Sequence, residues 1–106
     1  MQKLVAPSGA CIAYLLERAS AAPLPGPEPI LLIHGFASSH AVNWVFPQWV
    51  KTLTADGRDV VLHDLRGHGR SEKFYTPSDY SMEAFCGDAL ALLDHLEIER
   101  ADVMGY

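Results

Sequence analysis

Short apolar runs separated by helical patterns are the feature that most constrains the fold of this chain. Ile30–Ile33 consists of four consecutive branched apolar residues, and the segment 59–65 repeats such a run as DVVLHDL. Runs of this kind are typical of parallel strands that are covered on both faces. The segment 101–104 (ADVM) is a further short run, and we predict that it forms another strand.

The segment between the first two runs predicts a helix. Pro47 suits the first helical position, and Gly57 ends the pattern. Between them, Trp49, Val50 and Leu53 form an apolar stripe. We therefore expect this helix to begin at Pro47 and to pack its stripe, including Trp49, into the core.

A second helix is predicted between the second and third runs. Ser81 is a favourable N-cap, and Glu83 places a negative charge in the first turn. Apolar residues then follow helical spacing at Met82, Phe85, Cys86, Ala89, Leu92, Leu93 and Leu96. The polar, glycine-containing segment 66–79 before this helix is predicted to be a loop.

The N-terminal part predicts two strands and a connector. KLVAP and CIAYLLER flank the turn Pro7-Ser8-Gly9, so we expect a hairpin. The segment 19–29 holds four of the seven prolines, which favours a connector without regular structure. The predicted order is three strands, helix, strand, helix, strand, and this alternation indicates an α/β fold with crossover connections on a mostly parallel sheet.

Composition excludes several classes of function. The 106 residues carry a formal net charge of −5, which argues against nucleic-acid binding, and 49% are hydrophobic, which argues against disorder. We find no signal peptide and no apolar run long enough to cross a membrane, so we expect a cytoplasmic protein without a membrane partner. Cys11 and Cys86 are expected to be buried free thiols, with a disulfide as the alternative.

The least ordinary residues follow the ends of the predicted strands. They are the segments 34–36 (HGF), 64–67 (DLRG) and 105–106 (GY). Because ligands of open α/β sheets bind at the carboxyl ends of the strands, we expect the functional site there. His63, Asp64 and His68 were considered as metal ligands, but neighbouring strand residues point to opposite faces, so we expect no metal and no cofactor.

Three stretches together resemble the N-terminal part of the α/β-hydrolases: LLIHGFASS, LHDLRGHGRS and the terminal VMGY. The resemblance implies the N-terminal half of an α/β-hydrolase sheet: mostly parallel, with the first two strands an antiparallel pair and helices on both faces. It also implies that residues 1–106 are one portion of a single domain, the rest of which lies outside this chain.

The resemblance assigns roles to several loop residues. Phe36 would donate its backbone N–H to an oxyanion hole, with His34 and Gly35 as structural support. Arg66 and Gly67 belong to a loop that we interpret as architectural. The catalytic base and acid of the family come later in the chain, so neither His34 nor Asp64 is assigned to them.

The implied activity is hydrolysis of an ester or similar carbonyl in a small-molecule substrate by a serine nucleophile. Gly105 and Tyr106 match the first two positions of the family's G-x-S-x-G elbow, which would place the nucleophile directly after Tyr106. An aspartate nucleophile, as in dehalogenases and epoxide hydrolases of this fold, is the alternative, and so is a non-catalytic receptor or binding member. We expect the 106 residues alone to be inactive and to need the C-terminal part as a partner.

The end of the chain at Tyr106 allows three explanations. They are a cloned fragment, an interruption that arises from how the chain was delimited or from a modified nucleophile, and cleavage of the peptide bond after Tyr106. Attack by the elbow hydroxyl on the Tyr106 carbonyl would give a second chain that begins with the nucleophile. Self-cleavage is therefore retained as a hypothesis.

Four further side chains are given places by the sequence. His40 and His95 are expected to be surface or loop residues. Trp44 and Phe46, together with Trp49, could line a substrate pocket.

Overall fold

A computed structural model describes residues 1–20 and 27–106, and most of the predicted connector at 19–29 lies outside the described residues. All five predicted strands are present. They are β1 (Gln2–Val5), β2 (Cys11–Glu17), β3 (Ile30–Ile33), β4 (Val60–His63) and β5 (Asp102–Gly105).

The strands form one sheet in the order β1-β2-β4-β3-β5. β1 and β2 are antiparallel, as are β2 and β4, whereas β3 is parallel to both β4 and β5. The predicted α/β class, with an antiparallel first pair of strands, is confirmed. The sheet was predicted to be mostly parallel, and the four pairings of the described strands comprise two parallel and two antiparallel ones. β3 lies inside the sheet between β4 and β5, both of which come later in the chain.

The first helical region differs from the prediction in two ways. α1 (Trp49–Ala55) begins two residues after Pro47, because Gln48 takes a left-handed conformation with φ 75° and interrupts the helical path. A π-helical turn that was not predicted precedes it at Ala41–Val45. α2 (Met82–His95) begins as predicted, and the Ser81 side chain accepts a hydrogen bond from the Ala84 N–H at 3.2 Å.

The core has two layers, one on each face of the sheet. Alternate strand residues such as Leu31 and Val61 pack with Leu92 of α2. Their neighbours, including Leu32 and Leu62, pack on the other face with residues of α1. This alternation explains why both strands read as continuous apolar runs, since each face is covered by a different helix.

Trp44, in the π-helical turn, is buried in the core layer that packs against α1. Its side chain is 1% exposed, whereas Trp49 is 42% exposed and contacts the Trp44 ring edge-on at a centroid distance of 6.1 Å. The prediction that Trp49 packs in the core is therefore wrong, because the first residue of α1 lies at the rim of the layer. Phe46 is 69% exposed.

The two cysteines are free, but they are not buried as predicted. Cys11 is half-buried at the start of β2, and Cys86 is exposed on α2. The apolar positions in the first turns of α2 lack cover in this chain, as Met82 is 72% exposed. In the part of the chain that the structure describes, no helix has the length and apolar character needed to cross a membrane.

The free edge of β5 generates a prediction about solubility. Val103 in this strand is 60% exposed, and an unpaired apolar edge promotes association between chains. We expect residues 1–106, expressed alone, to aggregate or to lack fixed tertiary packing, as measured by thermal unfolding and near-ultraviolet circular dichroism. Val103→Lys should raise the soluble fraction, because a charge on the edge opposes strand pairing.

Val5→Lys is the matched control, since Val5 is 69% exposed on the opposite edge strand, which already carries Lys3. It should leave solubility unchanged. A cooperative thermal transition with strong near-ultraviolet signals for the unmodified chain would contradict the prediction, and so would an equal gain from both lysine substitutions.

Candidate active site

The three loops with unusual residues start side by side. In the parallel register, Ile33 of β3 pairs with His63 of β4 on one side and with Gly105 of β5 on the other. The segments that follow these strands therefore leave the sheet at the same edge. The expected cluster at the carboxyl ends of the strands is thus a consequence of strand register.

The loop after β3, residues 34–37, is held in place by side chains that accept hydrogen bonds from its backbone amides. The Gly35 N–H donates to Asn43 Oδ1 at 2.7 Å, and the Ala37 N–H donates to His68 Nε2 at 3.0 Å. Between them, the Phe36 N–H donates no hydrogen bond to any residue that the structure describes. The Phe36 side chain is 94% exposed. Among the described residues, one backbone donor thus has no partner on a loop whose neighbouring donors are engaged.

His34 uses both of its ring nitrogens within the loops. Nε2 accepts the Leu65 N–H at 2.9 Å, so the ring proton lies on Nδ1 and is donated to Gly35 O at 2.8 Å. Burial lowers the pKa of His34, and the neighbouring His68 acts in the same direction, while the bond to Gly35 opposes them. His34 is therefore a neutral group that joins two loops, and neither nitrogen is free to accept a substrate proton.

Asp64 is the buried acceptor between the same two loops. Its side chain is 1% exposed and accepts hydrogen bonds from the His40 N–H at 2.9 Å, His40 Nδ1 at 2.8 Å and the Arg70 N–H at 2.9 Å. Burial alone would raise the pKa of Asp64, but these bonds hold it well below its usual range. Gly69, with φ 49°, is required here because a Cβ atom would collide with the carboxylate.

His40 lies in the segment after β3, as the prediction of a surface or loop residue allows, but it is half-buried. Its side chain is 13% exposed, and its Nδ1 lies 2.8 Å from Asp64 Oδ1. The pair resembles the acid–base half of a catalytic triad, but its other contacts are structural, since Asp64 also holds two backbone amides. His95, by contrast, is exposed on α2 and contacts the Tyr14 hydroxyl at 3.2 Å.

Arg66 anchors the loop after β4 to α2. Its guanidinium donates to both oxygens of Asp88, from Nε at 2.7 Å and from a terminal nitrogen at 2.8 Å, and both side chains are buried. It also donates to Asp79 O at 2.9 Å and lies over the Phe74 ring. Hydrogen bonding to Asp88 raises the pKa of Arg66. Through these contacts Arg66 fixes the loop after β4 against α2.

Gly67 follows Arg66 with φ 80°, and a Cβ atom there would overlap the Tyr80 ring. Tyr80 in turn exchanges two hydrogen bonds with Phe74, since its hydroxyl donates to Phe74 O and accepts the Phe74 N–H. The loop after β4 is therefore packed against the segment that leads into α2.

An open cleft of about 700 Å³ lies against these loops. Its lining is partly aromatic and comprises Phe36, Ala37, Ser38, Gly67, His68, Gly69, Tyr80 and Phe85. The end of β5 lies next to the start of the loop after β3, where the Tyr106 N–H donates a hydrogen bond to Ile33 O at 3.0 Å. Gly35 permits this approach, as a Cβ atom there would lie 3.1 Å from the Tyr106 ring.

His63 is a buried histidine with no partner among the described residues. Its ring is fully buried, and neither nitrogen makes a hydrogen bond within residues 1–20 and 27–106. It lines an apolar groove of about 370 Å³ together with Ile33, Phe85 and Cys86. Burial is the main cause that lowers the pKa of His63 to about 4, so the ring is neutral at pH 7.

No group of three or more His, Cys, Asp or Glu side chains is placed to hold a metal ion in the described ranges 1–20 and 27–106. His63 and Asp64, although adjacent in sequence, have separate surroundings: an apolar groove for the first and two polar loops for the second.

Comparison with known proteins identifies the family. The family model for the alpha/beta hydrolase fold matches residues 28–106, which include every loop described above. The chain belongs to this family. The resemblance of the three sequence stretches is thereby confirmed.

Individual relatives agree with this assignment. The chain is 38% identical over 81 residues to the dihydrolipoyllysine-residue acetyltransferase component of the acetoin cleaving system of Pseudomonas putida, a match that covers 76% of this chain and 20% of that protein. It is 34% identical over 77 residues to epoxide hydrolase B of Mycobacterium tuberculosis, covering 73% of this chain and 21% of that protein.

Among solved structures, the enol-lactonase from Burkholderia xenovorans LB400 superposes with a TM-score of 0.77 and 28% identity, over 98% of this chain and 36% of that one. The chain spans about a fifth of the length of the two curated relatives above. The hydrolase family and the partial sheet are therefore established for these 106 residues, and the activity of a whole protein is a matter for proposal.

Sequence reasoning missed Asn43 and His40 as supports of the site. Asn43 is buried in the π-helical turn that was not predicted, and its side chain binds the amide of Gly35, eight residues earlier in the chain. Its polar side chain between Val42 and Trp44 was the one available signal, since a buried amide needs a partner. For His40 no local signal exists, because its partner Asp64 is distant in sequence.

The burial of His63 generates a prediction about pH. In the unfolded chain His63 is protonated near pH 6.5, whereas in the folded protein it is protonated only near pH 4. The free energy of unfolding therefore has its full value above pH 6.5 and decreases as the pH falls towards 4, because the unfolded state then binds a proton that the folded state does not. The difference corresponds to about 3 kcal/mol at roughly 1.4 kcal/mol per pH unit. His63→Leu should therefore flatten the decrease in free energy of unfolding between these pH values.

Urea unfolding at a series of pH values, in a protein that includes the rest of the fold, measures this. Part of the decrease should persist in His63→Leu, because the pKa of His34 is also lowered. His95→Gln, at an exposed histidine, is the control and should keep the full decrease. A His63→Leu profile that parallels the unsubstituted one would show that His63 is not the responsible group.

Proposed function

We propose that this chain is the N-terminal part of a serine hydrolase that acts on an ester or similar carbonyl and that it supplies half of the oxyanion hole. The observation that carries the proposal is the unpaired Phe36 N–H between two engaged amides. A donor held in advance where negative charge develops stabilises the transition state without reorganisation. Membership of the alpha/beta hydrolase family supports this role for the loop.

The proposed reaction begins with the residue after Tyr106 as the nucleophile. Its hydroxyl oxygen would attack the substrate carbonyl carbon while a histidine from the later part of the fold takes the proton. The carbonyl oxygen would carry the negative charge and accept the Phe36 N–H, together with a second N–H from the residue after the nucleophile. Collapse of the tetrahedral intermediate would expel the alcohol, which takes the proton back from the histidine, and would leave an ester between the acyl group and the serine. A water that gives a proton to the same histidine would then attack this ester and release the acid and the free serine.

The proton-transfer groups are expected outside this chain. His34 and His68 have both ring nitrogens engaged, His40 contacts Asp64, His63 is fully buried, and His95 lies on α2 beside the Tyr14 hydroxyl. We therefore propose that residues 1–106 are inactive alone and act together with a C-terminal part, and we call that combination the complete hydrolase. Two free cysteines fit a cytoplasmic protein, which we also retain as a proposal.

The cleft supports a small molecule with an apolar or aromatic portion as substrate. Phe36, Tyr80 and Phe85 supply aromatic surface next to the backbone donors. The similar enol-lactonase is named for a lactone, which is a cyclic ester, and this favours carbonyl chemistry.

An aspartate nucleophile is the second candidate, favoured by the similarity to epoxide hydrolase B. A non-catalytic binding member of the family is the third. The residue that follows Tyr106 in the complete protein distinguishes them: serine supports the proposal, aspartate supports the epoxide or dehalogenase alternative, and glycine or alanine supports a binding role.

Substitution of Phe36 tests the oxyanion role in the complete hydrolase. Phe36→Pro removes the N–H and should lower kcat for a p-nitrophenyl ester by about a hundredfold or more. Phe36→Leu keeps the N–H and should cost only a few-fold, because the ring is exposed. Circular dichroism must show that both variants fold. Equal and mild effects of the two changes would remove Phe36 from the oxyanion hole.

The cleavage hypothesis at Tyr106 is decided by intact-mass measurement on the purified full-length gene product. Self-cleavage predicts two masses that meet at Tyr106 and a single uncut mass when the following residue is replaced by alanine. A cut in the alanine variant would indicate an external protease. A single full-length mass for the unsubstituted protein would refute cleavage.

A further inference from the structure

Ala37 is the strained residue of the loop that carries Phe36. Its φ of 61° lies in the left-handed region, which a residue with a Cβ atom occupies only when surrounding contacts hold it there. Two contacts do so: the Ser38 N–H donates to Gly35 O at 3.2 Å and closes the turn, and the Ala37 N–H donates to His68 Nε2 at 3.0 Å. Of these two, the contact with His68 is the one that comes from the loop after β4.

The His68 ring is arranged to act only as an acceptor at that nitrogen. Because Nε2 accepts the Ala37 N–H, the ring proton lies on Nδ1, where it is donated to Arg66 O at 3.0 Å. The ring also lies edge-on to the Phe36 ring, with the centroids 6.2 Å apart, and 5.1 Å from the His34 ring. Its orientation is thus set from three sides.

The segment that carries His68 is itself anchored. The His68 N–H donates to Leu65 O at 2.9 Å, and Arg66 two residues earlier is tied to the buried Asp88. The histidine therefore joins the loop after β3 to the loop after β4, which is itself fixed to α2.

We propose that His68 is a positioning residue of the active site: its Nε2 holds the Ala37 amide, and this keeps the neighbouring Phe36 N–H unpaired and in place for the substrate oxyanion. The inference rests on the proposed function, because it assigns His68 a task in the oxyanion hole. Loss of the contact would let Ala37 relax from its left-handed conformation and reorient the adjacent peptide groups. The effect should fall on the transition state more than on substrate binding.

Two amide substitutions separate the two ring nitrogens. His68→Gln places an oxygen near the position of Nε2 and can still accept the Ala37 N–H. His68→Asn can reach only the position of Nδ1, so it keeps a polar group near Arg66 O but loses Ala37. In the complete hydrolase, with a p-nitrophenyl ester, we expect His68→Asn to lower kcat about tenfold or more with KM within about twofold. His68→Gln should stay within about threefold in kcat.

Hydrogen exchange of the Ala37 amide, observed by NMR after selective ¹⁵N-alanine labelling, gives a readout that does not need activity. Exchange should be slow in the unsubstituted protein and in His68→Gln, and fast in His68→Asn. His95→Asn makes the same chemical change at an exposed histidine of α2 and should alter neither exchange nor kcat.

The possible results are distinguishable. Fast Ala37 exchange together with unchanged kcat in His68→Asn would overturn the inference, because the contact would then have no catalytic consequence. Equal losses of kcat and of thermal stability in both variants would also overturn it, since His68 would be a packing residue only. If the unsubstituted hydrolase cleaves no ester, the proposed function and the catalytic part of this inference both fail, while Ala37 exchange still decides whether the contact exists.

Discussion

The buried carboxylate of Asp64 is the contact on which the arrangement of the site depends. A charged group that is 1% exposed is tolerated only when hydrogen bonds replace its hydration, and Asp64 receives three, from His40 and Arg70. His40 belongs to the segment after β3, and Arg70 belongs to the segment after β4. One carboxylate thus sets the distance between the two loops, and it does so from beneath the cleft rather than from within it.

The same requirement explains the composition of the loop after β4. The chain must pass closely around the carboxylate, and only glycine fits at position 69 without a collision. Ser71 completes the turn by donating to the backbone oxygen of Asp64 at 2.6 Å and accepting the Ala13 N–H of β2 at 2.9 Å. A substitution in this loop therefore disturbs the sheet as well as the cleft, because one short segment is bonded to both.

Much of the fold could be predicted because its determinants are local. Ile30–Ile33 and Val60–His63 are strands because continuous apolar runs suit two covered faces, and Ser81 begins α2 because its side chain caps the helix. The contacts that were missed join residues distant in sequence. His40 has no local pattern that indicates Asp64, and Trp44, not Trp49, is buried because Gln48 turns the chain before α1 begins. Phe36 and the supporting residues could be named from the family resemblance, but the acceptors that hold their amides could not.

The histidines at this edge of the sheet illustrate how the site divides its tasks. His34 and His68 each present one nitrogen as acceptor to a backbone N–H of the other loop, and each donates its remaining proton to a carbonyl in or next to its own loop. A ring used in this way cannot also shuttle protons, since both nitrogens are occupied. These two rings are therefore suited to electrostatic stabilisation, which needs fixed dipoles, whereas proton transfer needs a histidine with a nitrogen that is both open and accessible. His63 has no partner among the described residues, but its ring is fully buried.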